Sequence, residues 1–370
     1  MIEINDLIIK KVSDDNIIVN NQKNNKYIRL GTREAAYLLE LLERSDDEIT
    51  NTGEPLTDEQ KEILRQNYEK WGFLGSVEEK KKFDPSNIVL FSFKTDGPIK
   101  KVLNVTKHLI SPIGFTMMLL SFVYIFYVIM YRGEALLDGF DRLDLSVSSF
   151  VTVYFINFFM SVTHELSHAS ACYKYSGHCG KIGIKLFYLM PAYFCDVSSI
   201  YLVSGRKKTV VTAASGVISN HIVGAITLFL YVLLYDMGIY SNTLLLFFLF
   251  NLTTILMNLI PFAKFDGYWI IKSLSGIDNL YDKSISAFLK FISFRRNKNT
   301  ATKPMMMFYG FFLFVFHWGL WIYGTVMMYF TFIKHNVPFA TVIITALSVI
   351  GLFNCIKFTK KYLPSRTPNI

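Results

Sequence analysis

Leu145–Thr163, LSVSSFVTVYFINFFMSVT, is nineteen residues without a charge, and it runs straight into His164-Glu165-Leu166-Ser167-His168. The first part is long enough to cross a bilayer as a helix, which takes about 20 predominantly apolar residues. The second part sets two imidazoles four residues apart, on one face of that helix. Two neutral imidazoles so placed can ligate one zinc ion, and a Glu between them can act as general base on zinc-bound water. Ionisable side chains at membrane depth are costly and usually functional. Three of them directly after an uncharged run therefore weigh against an ordinary polar helix end.

Five more stretches are uncharged over comparable lengths: Ile113–Tyr131, Thr209–Tyr235, Met237–Ala263, Pro304–Ile333 and Asn336–Ile356. Six such helices do not fit one soluble core. Only helices keep every backbone polar group bonded inside lipid, so the body reads as mainly α, a polytopic six-span helical membrane bundle. Composition agrees. Of 370 residues, 52% are hydrophobic, 16% aromatic and only 18% charged, with mean hydropathy +0.33. An ordinary soluble domain carries about 25% charged residues. Disorder is excluded and a fully soluble enzyme disfavoured. The 4 Cys are scattered and form no Cys-x-x-Cys pair, which excludes a disulfide scaffold and a Cys-based zinc knuckle.

The net charge of +9 is uneven. Residues 1–95 hold 14 Lys and Arg against 18 Asp and Glu, and the rest hold 24 against 11. The acidic head reads as a small α+β module over 1–84. Residues 7–30 alternate short apolar runs around an Asn-rich turn, as a β-hairpin does. A helix is expected from Thr32 as cap, and a second from Thr57, where Thr57 and Gln60 form a capping-box pattern. Ile63, Leu64, Tyr68 and Trp71 are expected to bury its face. Gly75 and the run Glu78–Lys82 mark the exit, and 85–111 reads as a linker. A core over 112–275 follows, then a basic cytosolic loop and two C-terminal spans over 276–370.

Residues 1–20 lack the apolar core of a signal peptide. Lys100, Lys101 and Lys107 precede span one. The loops after spans two, four and six are also Lys/Arg-rich, whereas the opposite loops hold only Arg132, Arg142 and Lys334. A multi-pass cell-membrane protein with both termini cytoplasmic is therefore expected. The basicity belongs to cytoplasmic loops at the lipid bilayer, not to nucleic-acid binding. Leu186–Val203, apolar but broken by Pro191 and Asp196, is too short to cross. It reads as a re-entrant strand or loop, or else as an interfacial segment.

A hydrolytic zinc needs a third protein ligand and an open position. Asp266 is the candidate. Span four runs in the same direction as span two, which puts Asp266 and His168 at similar depth on one membrane face. Together, His164-Glu165-x-x-His168 and Asn258-x-x-Pro261-x-x-x-x-Asp266-Gly267 resemble the site-2 protease family of intramembrane zinc metalloproteases, over roughly 112–275. That resemblance implies Zn(2+) held by His164, His168 and Asp266, with Glu165 catalytic. Gly216 and Asn220 match part of a further family motif. Asn220 then contacts an oxyanion or the substrate backbone, or simply packs between helices. Leu189–Ser198 is similar to the peptide zinc metalloprotease subgroup, although Ser199 stands where that subgroup commonly has Asp. The helix from Thr32 and the Trp71-Gly72-Phe73-Leu74 ending resemble PqqD-like winged-helix modules that bind leader peptides.

The reading is thus a zinc-dependent intramembrane endopeptidase that processes or clears a small ribosomally made peptide. Pro191 and Asp196 belong to a segment able to hold unwound substrate as an added strand. Two alternatives stand beside it. One is cleavage of a membrane-tethered regulator such as an anti-sigma factor. The other, not enzymatic, is a peptide transporter or immunity protein. His221 is a bundle hydrogen-bonder or spare ligand, His317 is a packing residue, and His178 with Cys179 lacks spaced partners for a second metal. Oligomeric state is not legible.

Overall fold

The computed structural model describes residues 7–13, 16–21, 26–42, 55–74, 87–95, 97–187, 190–203, 205–293, 304–334 and 340–363. The charged run Glu78–Lys82 and the basic stretch 294–303 lie outside them. The chain divides into two compact units, Met1–Asn258 and Leu259–Ile370.

The head begins with strands β1 (Leu7–Ser13), β2 (Asn16–Asn21) and β3 (Lys26–Leu30), an antiparallel sheet in that order. It has three strands where a two-stranded hairpin is expected, because β1 also alternates and places Ile9 opposite Val19, itself opposite Ile28. Helix α1 (Thr32–Leu41) starts one residue earlier than read, with Gly31 as its cap. Helix α2 (Asp58–Trp71) has the expected capping box, Gln60 N donating to Thr57 Oγ1 and Thr57 N to Gln60 Oε1. Its buried face is narrower than expected. Tyr68 is fully buried and Leu64 packs at the core edge, while Ile63 and Trp71 are exposed. Tyr68, Phe73, Leu38, Ile17 and Val19 form the core, and the Tyr68 hydroxyl donates to the Glu34 carbonyl at 2.8 Å.

The expected linker is structured. Strand β4 (Asn87–Lys94) and helix α3 (Pro98–Thr106) precede the first long helix, α4 (Pro112–Tyr131). Then come α5 (Gly133–Asp141), α6 (Val147–Ser176), strands β5 (Lys181–Phe187) and β6 (Met190–Cys195), α7 (Arg206–Asp236) and α8 (Asn242–Leu259). β4 pairs antiparallel with β5 and β5 with β6, so β6 is an edge among the described residues. The segment that reads as re-entrant or interfacial is this hairpin followed by a short 3-10 helix, Ser198–Leu202. Opposite the motif end of α6, Asp144 accepts from the Ser149 and Ser146 hydroxyls, which hold its carboxyl below the usual range. Arg132 pairs with Asp236 across α4 and α7.

The second unit holds α9 (Asp266–Ser275), α10 (Leu280–Ile292), α11 (Pro304–Lys334) and α12 (Ala340–Tyr362). Tyr268, Leu280, Ile285, Leu289, Tyr309 and Leu313 form its core. Among the described residues, α4, α6, α7, α8 and α11 are long and apolar enough to cross a membrane. α12 covers most of the sixth uncharged stretch. α6, with 30 residues, is about 45 Å long, against roughly 30 Å of hydrocarbon. His164 and His168 lie about 26 and 32 Å along it from Val147, near the far end of such a crossing.

Tyr68→Phe should destabilise the head by about 1 kcal/mol, the net value of a typical hydrogen bond, seen as faster amide exchange in α1 and α2 of the full chain. Burial first, then the Glu34 charge, push the Tyr68 phenol well above its ordinary value. The neutral phenol's contribution is full below about pH 10 and is lost as pH rises toward the folded-state value. The Phe variant should lack this alkaline loss.

Candidate metal centre

The motif sits in the second half of α6, which ends at Gly177 in the left-handed region, φ 74°. His164 and His168 are both buried, and their Nε2 atoms face each other at 3.2 Å. His168 Nδ1 lies 2.7 Å from the Thr212 carbonyl oxygen on α7. A carbonyl can only accept, so this partner assigns the proton to Nδ1 and leaves a lone pair on Nε2. Ser215 does not compete, because its hydroxyl donates to the same carbonyl at 2.8 Å. A metal-ligating histidine characteristically donates its other ring N–H in this way.

The pair fits a shared ion. Zinc–imidazole bonds of about 2.0–2.1 Å at tetrahedral angles set two ligand nitrogens roughly 3.3–3.4 Å apart. An ion there replaces the ring-to-ring hydrogen bond the histidines otherwise make. The space is kept open by Gly216 on α7. A Cβ at that position would lie 2.4 Å from His168 Nε2 and 2.6 Å from His164 Nε2.

Glu165 is half-buried and near enough to Cys195, at the end of β6, to act electrostatically on its thiol. β6 follows α6 closely: the Tyr193 and Phe158 rings are 4.8 Å apart. Pro191 is exposed on β6. Asp196 lies just past the strand, where its Oδ1 accepts from Ser198 N at 3.0 Å and its side chain fills the space beside Gly180. Asp196 is thus part of the turn at the hairpin base. Asp266 is the first residue of α9 in the second unit and is half-buried. In that unit the Tyr309 hydroxyl donates to the Pro261 carbonyl and Phe262 stacks on Phe312, which anchors the turn leading into α9.

Asn220 is fully buried one turn beyond Gly216, and neither of its amide atoms has a protein partner among the described residues. Its backbone carbonyl accepts from Asn251 Nδ2 of α8 at 2.8 Å. Asn251 escaped the sequence reading. The only available signal was an amide in the middle of an uncharged run. His221 turns to α4 and stacks on Phe122 with ring centroids 3.7 Å apart, and His317 stacks on Phe358 at 3.9 Å. His178 is exposed, and the Cys179 sulfur lies 3.4 Å from that of Cys195.

Gly216→Ala should expel the ion without touching a ligand. The purified variant should hold at least tenfold less zinc per chain than wild type by elemental analysis. Full zinc in Gly216→Ala would show that the histidines are not held where α7 meets them.

No family model matches the chain, and no solved structure matches it. A 174-residue stretch, 46% of the chain, is 25% identical to a protein of Bacillus subtilis (strain 168) and spans 67% of that protein, whose name is "Putative peptide zinc metalloprotease protein YydH".

Proposed function

We propose that the chain is an intramembrane zinc metalloprotease that hydrolyses peptide bonds at the cytoplasmic side of the cell membrane. The observation that carries this reading is the buried Nε2 pair at 3.2 Å, with His168 fixed through Nδ1 by Thr212. The name of the Bacillus relative supports metalloprotease chemistry at that coarse level. In this reading Asp266 is the third ligand. Zinc at the site supplies Lewis-acid polarisation of the scissile carbonyl and a water of lowered pKa.

The chain's own groups do the rest. Glu165, adjacent to His164 on α6, takes the water's proton and passes it to the leaving amine. Asn220 offers an amide N–H to developing negative charge or to substrate backbone. The substrate enters as an extended strand along the β6 edge, between Pro191 and the turn at Asp196, because a helical substrate shields its carbonyls. The contact of Tyr193 with Phe158, before His164 on α6, supports a re-entrant position for that edge. The substrate proposed is a small ribosomally made peptide, recruited by residues 1–84 acting as a winged-helix-like module. A peptide-binding head and the shortness of the outward loops in the sequence favour it over a membrane-tethered regulator. Six spans with both termini cytoplasmic complete the proposal.

Glu165→Gln tests the chemistry. It should keep one zinc per chain while peptide cleavage falls at least a hundredfold, since general acid–base catalysis contributes about 10²–10⁴-fold. His168→Ala and Asp266→Ala should lose the zinc itself. Undiminished turnover in Glu165→Gln would reject its role.

The orientation is tested by labelling. With native Cys replaced, Ser241→Cys should react with an impermeant thiol reagent in intact cells, and Ser275→Cys should not. The reverse pattern would put the site on the outer face.

A further inference from the structure

α3 is amphipathic with two apolar flanks. On one, Ile99 and Leu103 pack against α6 at Ala169, Cys172 and Tyr173, and Thr106 Oγ1 is 2.6 Å from Ser170 Oγ. On the next, Val102 and Val105 stand three residues apart, 45% and 72% exposed. Lys100 and Lys101 are exposed on the remaining arc, and Lys107 follows with its Nζ 5.7 Å above the Tyr173 ring. Residues 97–111 contain no Asp or Glu. Only the 3-10 turn Lys107–Leu109 and two further residues separate α3 from α4, whose first turn exposes Ile113.

Exposed valines beside lysines that form no ion pair among the described residues, Lys107 donating only to the Asn104 side-chain oxygen, are the surface of a helix lying in a membrane interface. Its apolar flank sits in the acyl boundary and its cations sit among anionic headgroups. A soluble acidic partner would match the lysines, but it would leave the valine flank and its continuity with the apolar surface of α4 unexplained. We propose that α3 is an in-plane membrane anchor, in which Val102 and Val105 enter the bilayer and Lys100, Lys101 and Lys107 bind the phosphates of anionic phospholipids. This rests on α4 being a membrane span and is independent of zinc and of proteolysis.

The test uses the full chain in nanodiscs of phosphatidylcholine with or without phosphatidylglycerol. A spin label at Val105→Cys, with native Cys replaced, should be relaxed by oxygen more than by an aqueous nickel chelate. Phosphatidylglycerol retained in native mass spectra should fall about fivefold for each lysine neutralised in Lys100→Gln and Lys101→Gln. Lys100→Arg/Lys101→Arg should retain it as wild type does. A label fully open to the chelate overturns the proposal. So does unchanged retention in the Gln variants, or an equal loss in the Arg pair, which would mean damage to the helix rather than loss of charge.

Discussion

The site depends on one bond, from His168 Nδ1 to the carbonyl of Thr212. It links α6 to α7 and assigns the ring proton in one stroke. Were Nδ1 the unprotonated nitrogen, its lone pair would face the carbonyl oxygen, and Nε2 would carry a hydrogen where a metal ligand needs a lone pair. The carbonyl that sets this tautomer is itself part of a helix. Any shift of α7 along or away from α6 therefore disturbs the chemistry of the imidazole as well as its position.

Lipid gives little hydrophobic reason for two helices to approach. Close contact here comes from small residues and polar ties. Gly216 lets α7 reach the rings, and Ser215 and Thr212 supply hydroxyl and carbonyl. Asn251 then holds α8 to α7 at the carbonyl of Asn220, beside Gly224, where a Cβ would lie 2.7 Å from its Nδ2. Each tie is worth less than in a water-free estimate, because the separated helices also find partners. Their number gives the interface its definition.

What the sequence disclosed follows the range of the interactions. Uncharged runs and the His-x-x-x-His spacing are local, and α6 and its motif lie where those patterns put them. The capping box at Thr57 is local too. β4 was hidden because its reason for being a strand is β5, far along the chain, and nothing near Asn87 announces that pairing. The roles of Gly216 and Asn251 were hidden for the same reason: their significance lies in atoms of other helices. Ile63 and Trp71 misled in another way. Helical periodicity counts an apolar stripe, but only what packs against it decides how much of it is covered, and here that is little more than Tyr68, with Leu64 at the edge.

The β4–β5 pairing also orders the protein's biogenesis. Val89 pairs with Lys185, nearly a hundred residues later. At about 5–20 residues per second, translation leaves β4 waiting roughly 5–20 s for its partner. In that interval α4 and α6 leave the ribosome, while a strand exposing Leu90, Phe91 and Phe93 stays unpaired. The sheet beside the motif thus closes only after α4 and α6 have been made, and before α7 and α8. Until it does, the chain carries its two histidines on α6 with no β6 edge beside them.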